Sequence, residues 1–254
     1  MGTRLIERGL NLAMDDPALW NLTQHEIVLE VHECDTAAGA DALLTNTFGA
    51  NPITLERLGH SRRWQACAVA GVRLARQAAG PNRWLLGDIG PEAANSETVL
   101  IELAELLVEE NVDGLLLETM GSVAAERAVI WLRSRVSCPL IISLAGPQAE
   151  MSADHWCACL RHLLELGALS VGFNCGDLRQ TFELLRGLAE LSAPLFAKPA
   201  AGRPIGPKNS PDDFESLASL MFESGVRLLG GCCGTNQQHV MSLRGAADRW
   251  TAQG

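Results

Sequence analysis

Two hydrophobic periods take turns along this chain. Short apolar runs at residues 41–48, 85–91, 114–118, 140–144, 170–174, 195–198 and 226–229 read as buried strands, each too short for a helix and most bounded by glycine, proline or polar residues. Between them apolar residues recur three and four apart. That spacing predicts helices over 55–79, from Val99 through Leu107, over 123–135, 153–166 and 178–191, from a Ser210 cap to Ser224, and finally to about Trp250. Near the start, Asp16 and Pro17 read as an N-cap followed by proline in the first turn of a helix that runs to about Cys34.

Strands alternating with helices call for parallel pairing and right-handed crossovers. The order predicts an α/β fold, a (β/α)8 TIM-type barrel of ordinary length that lacks its first strand. No linker-like stretch interrupts the pattern, so residues 1–254 read as a single barrel domain.

In a barrel of this kind the chemistry gathers at the C-terminal ends of the strands. Standing there are Asn46, Thr47, Asp88, Glu118, Thr119, Cys175, the Pro199–Gly202 turn and the adjacent pair Cys232 and Cys233. Adjacent cysteines do not bond to each other comfortably, but both can turn their sulfurs to one cation. Cys175, ending another apolar strand, is the candidate third ligand. Three thiolates on zinc leave a fourth position open, which separates a catalytic zinc from a closed structural one. The other cysteines, including Cys157 and Cys159, read as packing residues, since positions two apart on a helix diverge. Asp88 reads as structural. His25, His32, His60, His155 and His162 read as surface or cap residues, and His239 as helix-side.

Charge narrows the partners. With 20 basic and 30 acidic residues the net charge is −10, which repels nucleic acid and anionic membranes. The chain has no signal-peptide pattern and no run near the roughly 18 apolar residues of a membrane span. A cytoplasmic location is the expectation, and eight cysteines there would stay reduced.

Taken in order, Met1-Gly2-Thr3, Thr45-Asn46-Thr47-Phe48-Gly49-Ala50-Asn51, Leu117-Glu118-Thr119-Met120, Gly172-Phe173-Asn174-Cys175 and Gly230-Gly231-Cys232-Cys233-Gly234-Thr235 resemble the motifs of the zinc-dependent homocysteine S-methyltransferases. This family includes betaine-homocysteine methyltransferase and the homocysteine module of cobalamin-dependent methionine synthase. The resemblance implies that Cys175, Cys232 and Cys233 hold Zn2+, that Glu118 holds the substrate's amino group and that Asn46 shapes the pocket beside it. Salt bridging at the rim and turn formation are the plainer roles for Glu118 and Asn46. The turn at Pro199 carries alanine where many members have asparagine. The chain also opens inside the first family motif, without the first strand and its acidic residue. The gap is expected to be narrowed by closure on seven strands or covered by a second subunit of a homo-oligomer, with homocysteine affinity reduced; a start codon placed too late is the alternative.

The expected reaction is methyl transfer to the thiol of homocysteine, giving methionine. Coordination removes a thiol proton that is mostly retained at neutral pH, and a zinc already bearing three thiolates leaves electron density on the added sulfur. The donor is not encoded in any motif: a small onium compound and a separate methylated corrinoid protein both fit. A non-catalytic zinc-thiolate barrel protein is the contrasting expectation.

Overall fold

The computed structural model describes residues 1–146, 153–188, 191, 193–202 and 208–253. The first part comprises α1 (Gly2–Ile6), a 3-10 turn at Pro17–Leu19, α2 (Trp20–Thr23), α3 (His25–Ala37), β1 (Ala42–Leu44), α4 (Pro52–Glu56) and α5 (Trp64–Ala79). There follow β2 (Trp84–Ile89), α6 (Glu97–Glu109), β3 (Gly114–Met120), α7 (Ser122–Arg133), β4 (Leu140–Ala145) and α8 (Ala153–Glu165). The last part is β5 (Ser170–Asp177), α9 (Leu178–Gly187), β6 (Leu195–Ala200), α10 (Pro211–Glu223), β7 (Val226–Leu229) and α11 (Gln237–Gln253). All strand pairs are parallel and neighbours in sequence are neighbours in the sheet, β1 through β7.

The sheet curls like a barrel wall. Leu86, Leu116, Ile141 and Phe196 form one buried inner cluster, and Leu44 on the first edge and Leu228 on the last pack against it. Strands covered on both faces are continuously apolar, as in Leu115, Leu116 and Leu117, all fully buried. Gly172 is required by this curl: a Cβ there would lie 1.7 Å from the Phe196 carbonyl oxygen of the adjacent strand.

The ladder does not close. Among the described residues β1 and β7 have no pairing with each other, so closure on seven strands is not how the gap is handled. Leu5 of α1 joins Leu10, Trp20, Val28 and Val31 in a second buried cluster. Arg4 ties α1 to α3 through the Val31 carbonyl oxygen (2.8 Å) and an ion pair with Asp35, and the Gly234 N–H donates to Thr3 Oγ1 at 3.2 Å. Both edges are short, three and four residues, which limits the unpaired backbone they present.

Three helical expectations are corrected. The helix after Pro17 breaks at Gln24 (φ −140°, ψ 42°) into α2 and α3. The long helix from Leu55 is α4 and α5, separated by a turn in which Gly59 adopts φ 72°. His32 is no surface residue: α3 buries it to 2% exposure. Of the helix expected over 178–191, residues 189 and 190 lie outside the described residues. Among the described residues no helix is long and apolar enough to cross a membrane.

Candidate metal and substrate site

The carboxyl ends of β3, β5 and β6 and the loop after β7 meet at one rim. Two bulges build it. The β3–β4 register slips between Leu117 and Met120, and the β5–β6 register slips between Asn174 and Asp177. Inside these slips Thr119 and Cys175 take φ of 61° and 60°, a region uncommon for non-glycine residues and an outlier for a β-branched one. Such bulges re-aim side chains beside functional sites, and here they turn Cys175 toward the loop that carries Cys232 and Cys233. That loop turns at Gly234 (φ 79°), where a Cβ would meet the Gly202 carbonyl oxygen at 2.6 Å.

The three sulfurs converge. Cys175 Sγ lies 2.7 Å from Cys232 Sγ and 3.7 Å from Cys233 Sγ, with 4.0 Å between the adjacent pair. Zinc–sulfur bonds of about 2.3 Å at tetrahedral angles separate sulfurs by about 3.8 Å. Two of the separations already match, and the shortest has to open by about 1 Å. All eight cysteines are free thiols. Contacts with Cys232 and Cys233 push the Cys175 thiol up, while those from Cys175 and Cys232 pull the Cys233 thiol down to about 3. Three sulfur donors brought this close make a donor set that suits a thiophilic ion.

Glu118 stands beside the sulfurs. It is buried, with Oε1 3.9 Å from Cys232 Sγ and accepting from Asn174 Nδ2 at 3.2 Å. Its Oε2 is paired with Lys198 Nζ at 2.5 Å. Burial works against the Lys198 ammonium, but Glu118 and Asp88 outweigh it and the pKa is raised. Asp88 is buried against the same pair. Burial first, and then the negative Glu118, raise its pKa well above the carboxylate range, and its Oδ1 has no hydrogen-bond partner among the described residues. Thr45 Oγ1 accepts from the Asp88 N–H (3.0 Å) and Thr47 Oγ1 donates to the Asp88 carbonyl (2.7 Å), fixing its backbone.

Asn46 sits differently. It is buried, and its Nδ2 donates to the Pro17 carbonyl and to Asn21 Oδ1, each at 2.7 Å; no hydrogen bond joins it to Glu118 or the cysteines among the described residues. Three residues that sequence reasoning left without a role in the site are central to its geometry: Asn174, Lys198 and Asp88. Asn174 had a signal, a polar residue adjoining Cys175 at a strand end. Lys198, in a strand otherwise apolar, had one too. His239 Nε2 donates to the Asn209 carbonyl (3.0 Å) and its Nδ1 lies 2.8 Å from Asn236 Oδ1, a helix-side role as expected.

Comparison with known proteins bears on the fold and the family. The chain is 27% identical over 286 residues to methionine synthase of Mycobacterium tuberculosis, covering 97% of this chain and 24% of that protein, so it spans about a quarter of that relative. It is 24% identical over 304 residues to homocysteine S-methyltransferase 1 of Saccharomyces cerevisiae, covering 98% of this chain and 93% of the relative. The metallated form of the Escherichia coli homocysteine methyltransferase MmuM superposes with a TM-score of 0.80 at 24% identity, covering 96% of this chain and 93% of the other. A dihydrodipicolinate synthase from Oceanobacillus iheyensis shares the barrel-like fold more distantly, with TM-score 0.52 and 12% identity over 89% of this chain and 67% of the other. The homocysteine S-methyltransferase model matches residues 1–247, the converging cysteines and Glu118 included, and the chain belongs to that family.

Proposed function

We propose that this protein transfers a methyl group from an activated donor to the thiol of homocysteine, with Cys175, Cys232 and Cys233 as ligands of a zinc ion and Glu118 as the seat of the substrate's α-ammonium. The observation that carries the reading is the placement of a buried carboxylate 3.9 Å from a sulfur of the three-cysteine cluster. A thiol amino acid whose sulfur joins that cluster brings its ammonium, three carbons away, toward Glu118. Zinc, when bound there, would supply an acid that keeps the substrate sulfur deprotonated. Asn174 orients Glu118 through Nδ2, and Asn46 holds the segment around Pro17 against the rim, contributing a wall to the pocket. In the transfer itself a sulfur lone pair forms the new S–CH3 bond while the methyl-to-donor bond breaks. The bonding pair leaves with the donor, which departs without its methyl group, and the thiol proton goes to solvent.

The test combines metal analysis with a donor panel. One zinc per chain is expected, with loss of most of it in Cys233→Ser. Methionine is expected from homocysteine with one of S-methylmethionine, betaine or a methylated corrinoid protein. Full zinc retention after two of the three cysteines are replaced ends the metal assignment. Absence of turnover with all three donors ends the catalytic one in favour of a non-catalytic zinc-thiolate barrel.

A further inference from the structure

The carboxylate that an amino-acid thiol needs is already occupied. Lys198 and Asn174 are register partners on β6 and β5, and both side chains reach Glu118, Lys198 at Oε2 and Asn174 at Oε1. The stem of Lys198 runs over Gly230, where a Cβ would lie 3.5 Å from its Cγ, so the lysine is packed against the cysteine loop. An incoming ammonium meets a half-buried cation at its own seat. Two like charges on one buried carboxylate repel, and a repulsive element of this kind sets specificity as effectively as an attractive one.

A second observation shows where the lysine can go. Asp88 lies within electrostatic reach of Glu118 and Lys198, is buried to 7% exposure, and has an Oδ1 with no hydrogen-bond partner among the described residues. An acceptor oxygen left unpaired there, on a carboxyl that burial and Glu118 hold toward its neutral form, can still take a hydrogen bond from the lysine ammonium and so serve as its second seat.

Resting on the proposed function, we propose that Lys198 is a specificity-determining residue that competes with the substrate's α-ammonium for Glu118 and shifts toward Asp88 when an amino-acid thiol binds. Affinity for homocysteine is then reduced by the fraction of molecules in which Lys198 has vacated Glu118. A thiol carboxylate without an ammonium escapes that reduction, so the acceptor range extends to desamino thiols.

Calorimetric titration of the zinc-loaded protein with homocysteine and with 4-sulfanylbutanoate, which lacks the amino group, tests this without relying on turnover. Wild type is expected to prefer homocysteine by less than about tenfold; a larger preference overturns the proposal. Lys198→Met is expected to tighten homocysteine by about tenfold and to leave 4-sulfanylbutanoate within about twofold. Lys198→Gln serves if the Met variant does not fold. Equal weakening of both thiols by these variants overturns the proposal and leaves Lys198 a structural ion pair. Asp88→Asn is expected to weaken homocysteine by about fivefold in wild type and not at all in Lys198→Met; the same effect in both backgrounds overturns the second seat. If neither thiol binds to any variant, the proposed function itself has failed. If homocysteine binds and is methylated while Lys198 has no effect on selectivity, only this inference has failed.

Discussion

Asn174 holds the two halves of the rim together. Its Oδ1 accepts from the Thr119 N–H at 3.0 Å and from Ser143 Oγ at 2.7 Å, and its Nδ2 donates to Thr119 Oγ1 at 2.8 Å and to Glu118. Asn174 and Ser143 are fully buried and Thr119 is half-buried, so truncation leaves a backbone donor and a hydroxyl without partners. Asn174→Ala should lower the free energy of unfolding by at least about 1–3 kcal/mol, the cost of one such group, and should weaken zinc binding because Cys175 follows in the same bulge. Urea denaturation and a chelator competition would show both losses. Wild-type stability in the variant would mean that water or a neighbour replaces these bonds and that Asn174 does not organise the rim.

α3 carries the clearest dependence on pH. Burial lowers the His32 pKa to about 3, and its Nε2 has no hydrogen-bond partner among the described residues. In the unfolded chain the same imidazole titrates near 6.5. The folded state therefore binds fewer protons than the unfolded state between these values, and stability falls as pH falls through that window. The slope from this one group is about 1.4 kcal/mol per pH unit. His32→Leu should flatten the acid limb of a stability-against-pH curve below about pH 6.5, and an unchanged slope would exclude His32 as its source. The sequence could not reveal this, because a histidine flanked by Val31 and Glu33 is compatible with either face of a helix. What was legible were the signals with a local cause. The Ser210 cap and Pro211 set the start of α10 as expected, with Ser210 Oγ and Asp213 forming a reciprocal box, and β7 begins and ends where the apolar run does. The helix breaks were less visible. Gln24 and Gly59 interrupt apolar spacing that continues across them, and Asn51 with Pro52 forms a cap whose signal resembles that of Asp16 with Pro17. In the site, the cysteines and Glu118 were legible because strand ends and glycine turns advertise them. Asn174 and Lys198 showed only as polar residues in or at the end of apolar strands, and Asp88 as a rim residue, since their partnership with Glu118 arises from the sheet order that brings the ends of β2, β3, β5 and β6 to one rim.

In this unclosed sheet α1 packs on α3, and α3 lies as a cover against the edge strand β1. Leu5, Leu10, Trp20, Val28 and Val31 bury their apolar surface together, while Leu44 and Leu228 from opposite edges meet the same inner cluster. The cover reaches the chemistry as well, because the Gly234 N–H, next to Cys233, donates to Thr3 Oγ1 just before Leu5. Loosening α1 should therefore be felt at the metal loop. Leu5 is fully buried, and Leu5→Ala should cost about 2–5 kcal/mol of stability. Zinc loaded into the variant should also exchange faster with a chelator than zinc loaded into wild type, under conditions where the variant remains folded by circular dichroism. Thr3→Val removes the hydrogen bond while keeping the cover's shape, so it should reproduce the faster exchange with little loss of stability. Faster exchange in neither variant, alongside the expected destabilisation by Leu5→Ala, would show that the cover and the cysteine loop behave independently.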